Sequence, residues 1–298
     1  VSMLQPGEAQ YSLLPNENGG VVDDIIVYRR PTPEPTNFMV VINAANHDKD
    51  LSWIQGQQKR RPDFDVVVND ISPQTGMVAI QGPRAEEIVQ PLADVDLATI
   101  EYFTWSHGNV AGVPAMIART GYTGEDGFEF YTALADISTV WDALMAKGAG
   151  KGLVPVGLGA RDSLRLEARM PLYGNELADD VNPLEAGLGW AVKLDKGDFI
   201  GRSAIAAMKE AGAPRRTVGF ELTQRSGAPR SHYEVQVDGR PVGHVTSGMM
   251  SPTLGSNIGL ALVDRDVAGV GKPLDVIIRG KPVPGIQRKM PFYRRAKA

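Results

Sequence analysis

From about Arg215 the chain is cut into short runs by glycine and proline. The runs are rich in β-branched residues: Val218 to Leu222, Tyr233 to Val237, Val242 to Thr246, Ile258 to Val263 and Leu274 to Ile278. No helix of useful length fits between such breakers. Short strands at this spacing specify a small closed or sandwiched all-β unit. The last third is therefore expected to be a barrel-like domain, residues 215–298. The segment Ile205 to Pro214 marks its boundary with an α+β region, residues 1–205.

The earlier region mixes periods. Strands are expected over Val21 to Arg30, Asn37 to Ala45, Asp63 to Asp70, Gly76 to Gln81, Val110 to Arg119 and Gly127 to Thr132. The first two are joined by residues 31–36, whose three prolines cannot lie in a central strand. Helices are expected over His47 to Gln58, from Pro83 to about Leu92, and from Asp136 to Lys147. In the last of these, Ile137, Val140, Trp141, Leu144 and Met145 recur at helical spacing. Val1 to Pro6 runs into Tyr11 without capping or turn residues and reads as the middle of a domain.

Composition removes several classes of function. The chain has 298 residues and no cysteine. Disulfides, thiolate metal sites and a cysteine nucleophile are thereby excluded. The four histidines (His47, His107, His232 and His244) show no metal-ligand spacing, so no metal is expected. A net charge of −4 lacks the basic balance of nucleic-acid binders. No apolar run reaches the roughly 20 residues of a membrane span.

Three features carry chemistry. Asp23 and Asp24 interrupt the apolar run from Val21 to Tyr28. Alternation puts Val22, Asp24, Ile26 and Tyr28 on one face and Val21, Asp23, Ile25 and Val27 on the other. If both faces are covered, at least one carboxylate lies in apolar surroundings, where burial raises its pKa unless it is hydrogen-bonded. Two readings stay open: a perturbed functional acid, or acids accepting backbone N–H groups at the turn after Gly19 and Gly20.

The second feature runs from Arg119 to Glu129. Its three glycines (Gly121, Gly124, Gly127) indicate a tight turn but match no phosphate loop. Glu129 follows on a strand between Phe128 and Phe130. A carboxylate there can accept two parallel N–H bonds from a planar amidine-like group, or face solvent on an edge strand. The third runs from Gly157 to Arg169. Read as one helix, it stacks Arg161, Arg165 and Arg169 on a stripe that calls for anions, from a ligand or from internal acids such as Asp162 and Glu167. The three features together suit a ligand with an amidine-like head and an anionic tail, as in a reduced folate.

At these residues the chain resembles the glycine cleavage T-protein family, the aminomethyltransferases. The resemblance runs through Asn16 to Val27, Val41 to Asn46, Gln81 to Pro83, Arg119 to Glu129, Gly157 to Ala168, Leu172 to Gly174 and Thr246 to Gly255, in order along the chain. It implies a multidomain α+β folate-binding fold with two interleaved subdomains in residues 1–205 and a C-terminal β-barrel. It implies transfer of the methylene carbon of an aminomethyl group from the lipoyl arm of H-protein to tetrahydrofolate as co-substrate, releasing ammonia and forming 5,10-methylenetetrahydrofolate. By motif, Asp24 is the catalytic acid, Glu129 holds the pterin, Arg161 meets the glutamate tail, and Tyr122, Asn43, Tyr11 and Tyr173 are pocket walls. A bacterial cytoplasm, or a mitochondrial matrix, is the implied location.

Family members also carry an N-terminal segment with a Phe-Asp-Val-Ser-His-Met-like stretch that nothing here matches. A first domain short of that segment is expected to expose apolar surface. Rival readings are a folate-dependent demethylase or oxidase-associated module, and a non-catalytic folate-binding protein. A related iron–sulfur assembly protein would need a cysteine motif and is excluded. The basic stretches Lys59 to Arg61 and Arg288 to Arg295 present cationic surface, either solvated or facing an acidic H-protein.

Overall fold

The computed structural model describes residues 1–31 and 37–295; most of the proline-rich connection over 31–36 lies outside them. Two compact units emerge, Val1–Ser12 with Ile25–Gly157, and Leu13–Asp24 with Leu158–Ala298. In chain order, β1 (Ala9–Pro15), β2 (Val21–Arg29) and β3 (Phe38–Val41) form a three-stranded sheet in the order β1-β2-β3. Helix α1 (His47–Arg60) follows. Then come β4 (Thr75–Gln81), α2 (Ala85–Val89), β5 (Trp105–Val110), β6 (Val113–Ala118), β7 (Gly127–Ala133) and α3 (Ile137–Gly148).

The first unit is organised by an antiparallel sheet in the order β4-β7-β6-β5. Its two faces follow from alternation. Val78, Ile80, Phe128 and Phe130 point to one side and pack with Ile88 and Val89 of α2 and Val140 and Leu144 of α3. Burying each such side chain contributes about 1.5–3 kcal/mol. Glu129 and Tyr131 point the other way, and Tyr131 joins Tyr28, Trp105, Met116 and Ala118 in a second cluster.

Several sequence expectations are corrected here. Asp63 to Asp70 forms no strand: Phe64, Val66 and Val67 are exposed. The backbone is tied locally, with Phe64 N–H on Arg61 O and Val66 N–H on Phe64 O, both at 3.1 Å. Three valines favour a strand, but among the described residues the segment joins no sheet, and local turns take these hydrogen bonds. Trp141, expected to pack inward from α3, is 43% exposed. Strands β1 and β5 escaped the pattern because their polar and half-exposed residues give weak alternation.

The second unit contains α4 (Leu158–Glu167), α5 (Arg202–Ala211), and β8 (Arg215–Leu222), β9 (Glu234–Val237), β10 (Arg240–Ser251), β11 (Ser256–Asp264), β12 (Pro273–Ile278) and β13 (Lys281–Arg288). The six strands close into a barrel, β10-β11-β8-β13-β12-β9. Its interior is filled by Val218, Phe220, Val235, Val245, Val276 and their neighbours. Strand β13 escaped the sequence pattern because Pro282, Pro284 and Gly285 disguise it. Those prolines face positions where no ladder N–H is needed, as the β12–β13 register allows.

Helix α4 packs on the outside of the barrel through Leu166 against Ile258 and Leu260. Buried charges lock it there. Arg165, 1% exposed, donates to Asp162 at 2.7 Å, Glu176 at 2.9 Å and Ser247 at 2.8 Å. Glu167 accepts from Ser251 at 2.5 Å and from the Thr253 hydroxyl at 2.7 Å. The run Thr246 to Gly255 thus supplies hydroxyls to carboxylates and a guanidinium that would otherwise be buried unsatisfied.

Candidate functional site

Strand β2 starts after a turn whose backbone is fixed by Asn16. The Asn16 Oδ1 accepts from Asn18 N–H at 3.0 Å and Gly20 N–H at 3.1 Å, while its Nδ2 donates to Asp179 O at 2.8 Å. Only glycine fits at position 20, since a side-chain carbon there would overlap the Asp179 carbonyl. The N–H groups of Asn18 and Gly20 therefore go to Asn16. Asp23 is fully buried and its Oδ1 accepts the Asp24 N–H at 2.9 Å. Asp24 is half-buried, on the opposite face of the strand.

The turn from Arg119 to Asp126 is clamped from within. The Arg119 guanidinium donates to Asp126 Oδ1 at 2.9 Å, Glu86 Oε2 at 2.7 Å and the Ile100 carbonyl at 3.1 Å, and lies over the Phe128 ring. The carboxylates, Asp126 foremost, raise its pKa further. Gln81 holds the other side, donating to Thr120 O at 3.1 Å and accepting from Thr123 Oγ1 at 2.9 Å. It lies so close to Gly121 that a side chain there would collide with its amide. Tyr122 sits half-buried on this turn.

Glu129 has neither the edge position nor the exposure that one sequence reading allowed. Strand β7 lies between β4 and β6, and Glu129 is 8% exposed. Its Oε2 accepts from Thr120 Oγ1 at 2.5 Å and from the Tyr131 hydroxyl at 3.3 Å. The Tyr28 hydroxyl lies 3.1 Å from Thr120 Oγ1 and 3.3 Å from the Tyr131 hydroxyl, and the two rings meet edge-on at 5.8 Å. Burial first, then the negative charge of Glu129, pushes both phenols well above their ordinary range. They remain protonated donors at any working pH.

Tyr28, Thr120 and Tyr131 were not singled out from the sequence. Alternation held the signal: Tyr131 shares a face with Glu129 two residues earlier, and Tyr28 ends the apolar face that carries Asp24. A cavity of about 310 Å³ opens beside Tyr131, lined by Arg30, Met39, His107 and Met116 among others. None of the contact residues expected from the sequence lines it.

The arginine stripe is only partly realised. Arg161 lies exposed on α4, whereas Arg165 is committed to the buried network. Arg169 follows the end of the helix with φ +62°, so it leaves the stripe. Its Nη2 instead donates to Ala186 O at 3.1 Å and Gly187 O at 3.3 Å. Tyr173 is half-buried and donates to Asp179 at 3.4 Å. Asn43 precedes a short 3-10 turn, and Tyr11 sits on β1, both half-buried. Of the expected site residues, Glu129, Tyr122, Asn43 and Tyr11 belong to the first unit; Asp24, Arg161 and Tyr173 belong to the second.

Of the cationic stretches, Arg61 pairs with Asp63 at 2.9 Å and Arg288 with Glu221 at 2.7 Å. Among the described residues no group of three or more histidines and carboxylates is arranged to hold a metal, and no helix is long and apolar enough to cross a membrane.

Comparison with known proteins agrees along the whole chain. The family described as the GCVT N-terminal domain matches residues 1–196, and the glycine cleavage T-protein C-terminal barrel domain matches residues 215–294. An aminomethyltransferase of Geobacillus kaustophilus is 48% identical over 100% of this chain and 80% of its own length. One from Moorella thermoacetica is 50% identical over 96% of this chain and 76% of its own. The crystal structure of the glycine cleavage system aminomethyltransferase T from Bartonella henselae superposes with a TM-score of 0.89 at 29% identity, covering 99% of this chain and 79% of that one. The chain belongs to the glycine cleavage T-protein family of aminomethyltransferases.

Proposed function

We propose that this aminomethyltransferase uses tetrahydrofolate as acceptor and the lipoyl arm of H-protein as donor. The methylene carbon leaves the aminomethyl group, its bonds to sulfur and to the amine nitrogen are replaced by bonds to two folate nitrogens, and ammonia and the dihydrolipoyl thiol are released. Folate supplies those nitrogens; the protein supplies position and charge. Placing two reactants in contact geometry accounts for much of the acceleration available to such a transfer.

The observation that supports folate is the Glu129 carboxylate. It is buried, its Oε2 is filled by hydroxyl donors, and among the described residues no hydrogen bond reaches Oε1. Such an oxygen accepts an N–H donor, and the N–H edge of a pterin supplies one. In this reading Asp24 orients the folate and stabilises positive charge developing on it. Arg161, exposed and always cationic, meets the glutamate carboxylates, while Tyr122, Asn43, Tyr11 and Tyr173 form walls. The bacterial relatives support a cytoplasmic location.

The test is ammonia release from aminomethylated H-protein with and without tetrahydrofolate. Turnover that depends on both substrates is expected. Release at an unchanged rate without folate would overturn the reading.

A further inference from the structure

Glu129 is held by a hydrogen-bond chain with a direction. A carboxylate can only accept, so Thr120 Oγ1 and the Tyr131 hydroxyl must each direct their proton at its Oε2. Tyr28 has one proton, and the two oxygens within its reach, Thr120 Oγ1 at 3.1 Å and the Tyr131 hydroxyl at 3.3 Å, have both spent theirs. Tyr28 therefore donates inward as well. All three hydroxyls point the same way, and Thr120, Tyr28, Tyr131 and Glu129 are all buried.

Two donors on one oxygen use both of its lone pairs. Oε2 is thereby closed to a ligand, and Oε1 is the oxygen that remains. The sequence suggested a fork in which each oxygen takes one N–H; this geometry replaces it with contact at a single oxygen.

The anchoring is built from separate elements. Tyr28 comes from β2, Glu129 and Tyr131 from β7, and Thr120 from the turn that Gln81 holds through the Thr120 carbonyl. Arg119, next in sequence, is tied to Asp126 and Glu86. A rotation of the Glu129 side chain would break the 2.5 Å bond from the buried Thr120 hydroxyl.

We infer that Thr120, Tyr131 and, behind them, Tyr28 are positioning residues that fix Glu129 with Oε2 saturated and Oε1 presented to the N–H edge of the bound pterin. This rests on the reading that Glu129 contacts folate. None of the three hydroxyls touches the ligand. They act through the carboxylate they orient, and they set how well the site distinguishes a donor edge from an acceptor edge. Loss of one hydrogen bond to a charged group corresponds to roughly a 10- to 100-fold loss of affinity. Tyr28, one bond further away, has a smaller effect.

The test is calorimetric titration of the full chain with tetrahydrofolate, combined with steady-state kinetics, for Thr120→Val, Thr120→Ser, Tyr131→Phe and Glu129→Gln. Thr120→Val and Tyr131→Phe are each expected to weaken folate binding at least tenfold and raise its KM, while the KM for aminomethylated H-protein stays unchanged. Thr120→Ser, which keeps the hydroxyl, restores wild-type affinity. Equal rises in both KM values, or no rescue by serine, would mean a general structural role and overturn the inference. If Glu129→Gln loses binding but Thr120→Val and Tyr131→Phe bind like wild type, positioning fails while the folate reading stands. If Glu129→Gln itself binds normally, the folate reading fails and takes this inference with it.

Discussion

The buried pair Arg165–Glu176 makes the sharpest stability prediction. Both side chains are nearly inaccessible, at 1% and 3% exposed, and their charged atoms are 2.9 Å apart. Replacing Arg165 with methionine keeps much of the volume but leaves Glu176 as an uncompensated buried carboxylate. Breaking such a pair costs about 3–5 kcal/mol. Glu176 still accepts from Ser247 Oγ at 2.7 Å and from Leu172 N–H at 3.0 Å, so the lower end, about 3 kcal/mol, is expected. At about 2–4 °C per kcal/mol for a domain of this size, the unit should melt roughly 6–12 °C lower. Removing both charges in Arg165→Met with Glu176→Leu should cost less than either single change, because no orphan charge remains. Urea unfolding of the four members of this double-mutant cycle checks it. A single-variant loss below about 1 kcal/mol, or a double variant equal to the sum of the singles, would refute the reasoning.

Other expectations follow from single sites. Asp24→Asn should keep the circular dichroism spectrum and lose most turnover, and unchanged turnover would remove Asp24 from the mechanism. Arg169 holds φ +62°, so Arg169→Gly should be about 1 kcal/mol more stable than Arg169→Ala in urea, both having lost the bonds to Ala186 and Gly187. His244 is held below its ordinary value of 6.5 by burial first, then by His232 and Arg215. The unfolded chain therefore takes up the proton first. Stability is expected to fall as pH drops below about 6.5 and to level off beneath the folded value; His244→Gln should flatten that part of a melting-temperature profile.

Much of the fold could be read from residues whose neighbours agree with them. Five of the six barrel strands carry short runs rich in β-branched and other apolar residues between glycine or proline turns, so local pattern and tertiary packing point the same way. Strand β13 was hidden because two prolines sit where pairing does not need their N–H groups. At Asp63 to Asp70 the opposite failure occurred: propensity favoured a strand, but a strand exists only where a partner edge does.

The site shows the same division. Glu129 and the buried acid beside Asp24 stood out because a carboxylate in an apolar strand needs an explanation. Tyr28, Thr120 and Tyr131 did not, because an aromatic in a strand or a threonine beside a turn needs none. The Tyr28 hydroxyl meets the other two only when segments more than 90 residues apart in sequence are folded together. Arg165 and Arg161 are four residues apart on one helix and look alike in the sequence. Contact with Ser247 of β10 and with Glu176 buries Arg165, whereas Arg161 is exposed.

The central claim is that a buried acid reads the pterin and an arginine meets its tail. A crystal structure of the chain soaked in tetrahydrofolate tests it most directly. The account predicts the pterin N–H edge within hydrogen-bond distance of Glu129 Oε1, with Thr120 and Tyr131 still on Oε2, and the glutamate tail against Arg161. Folate bound elsewhere, with Glu129 and Asp24 contacting none of it, would contradict the account.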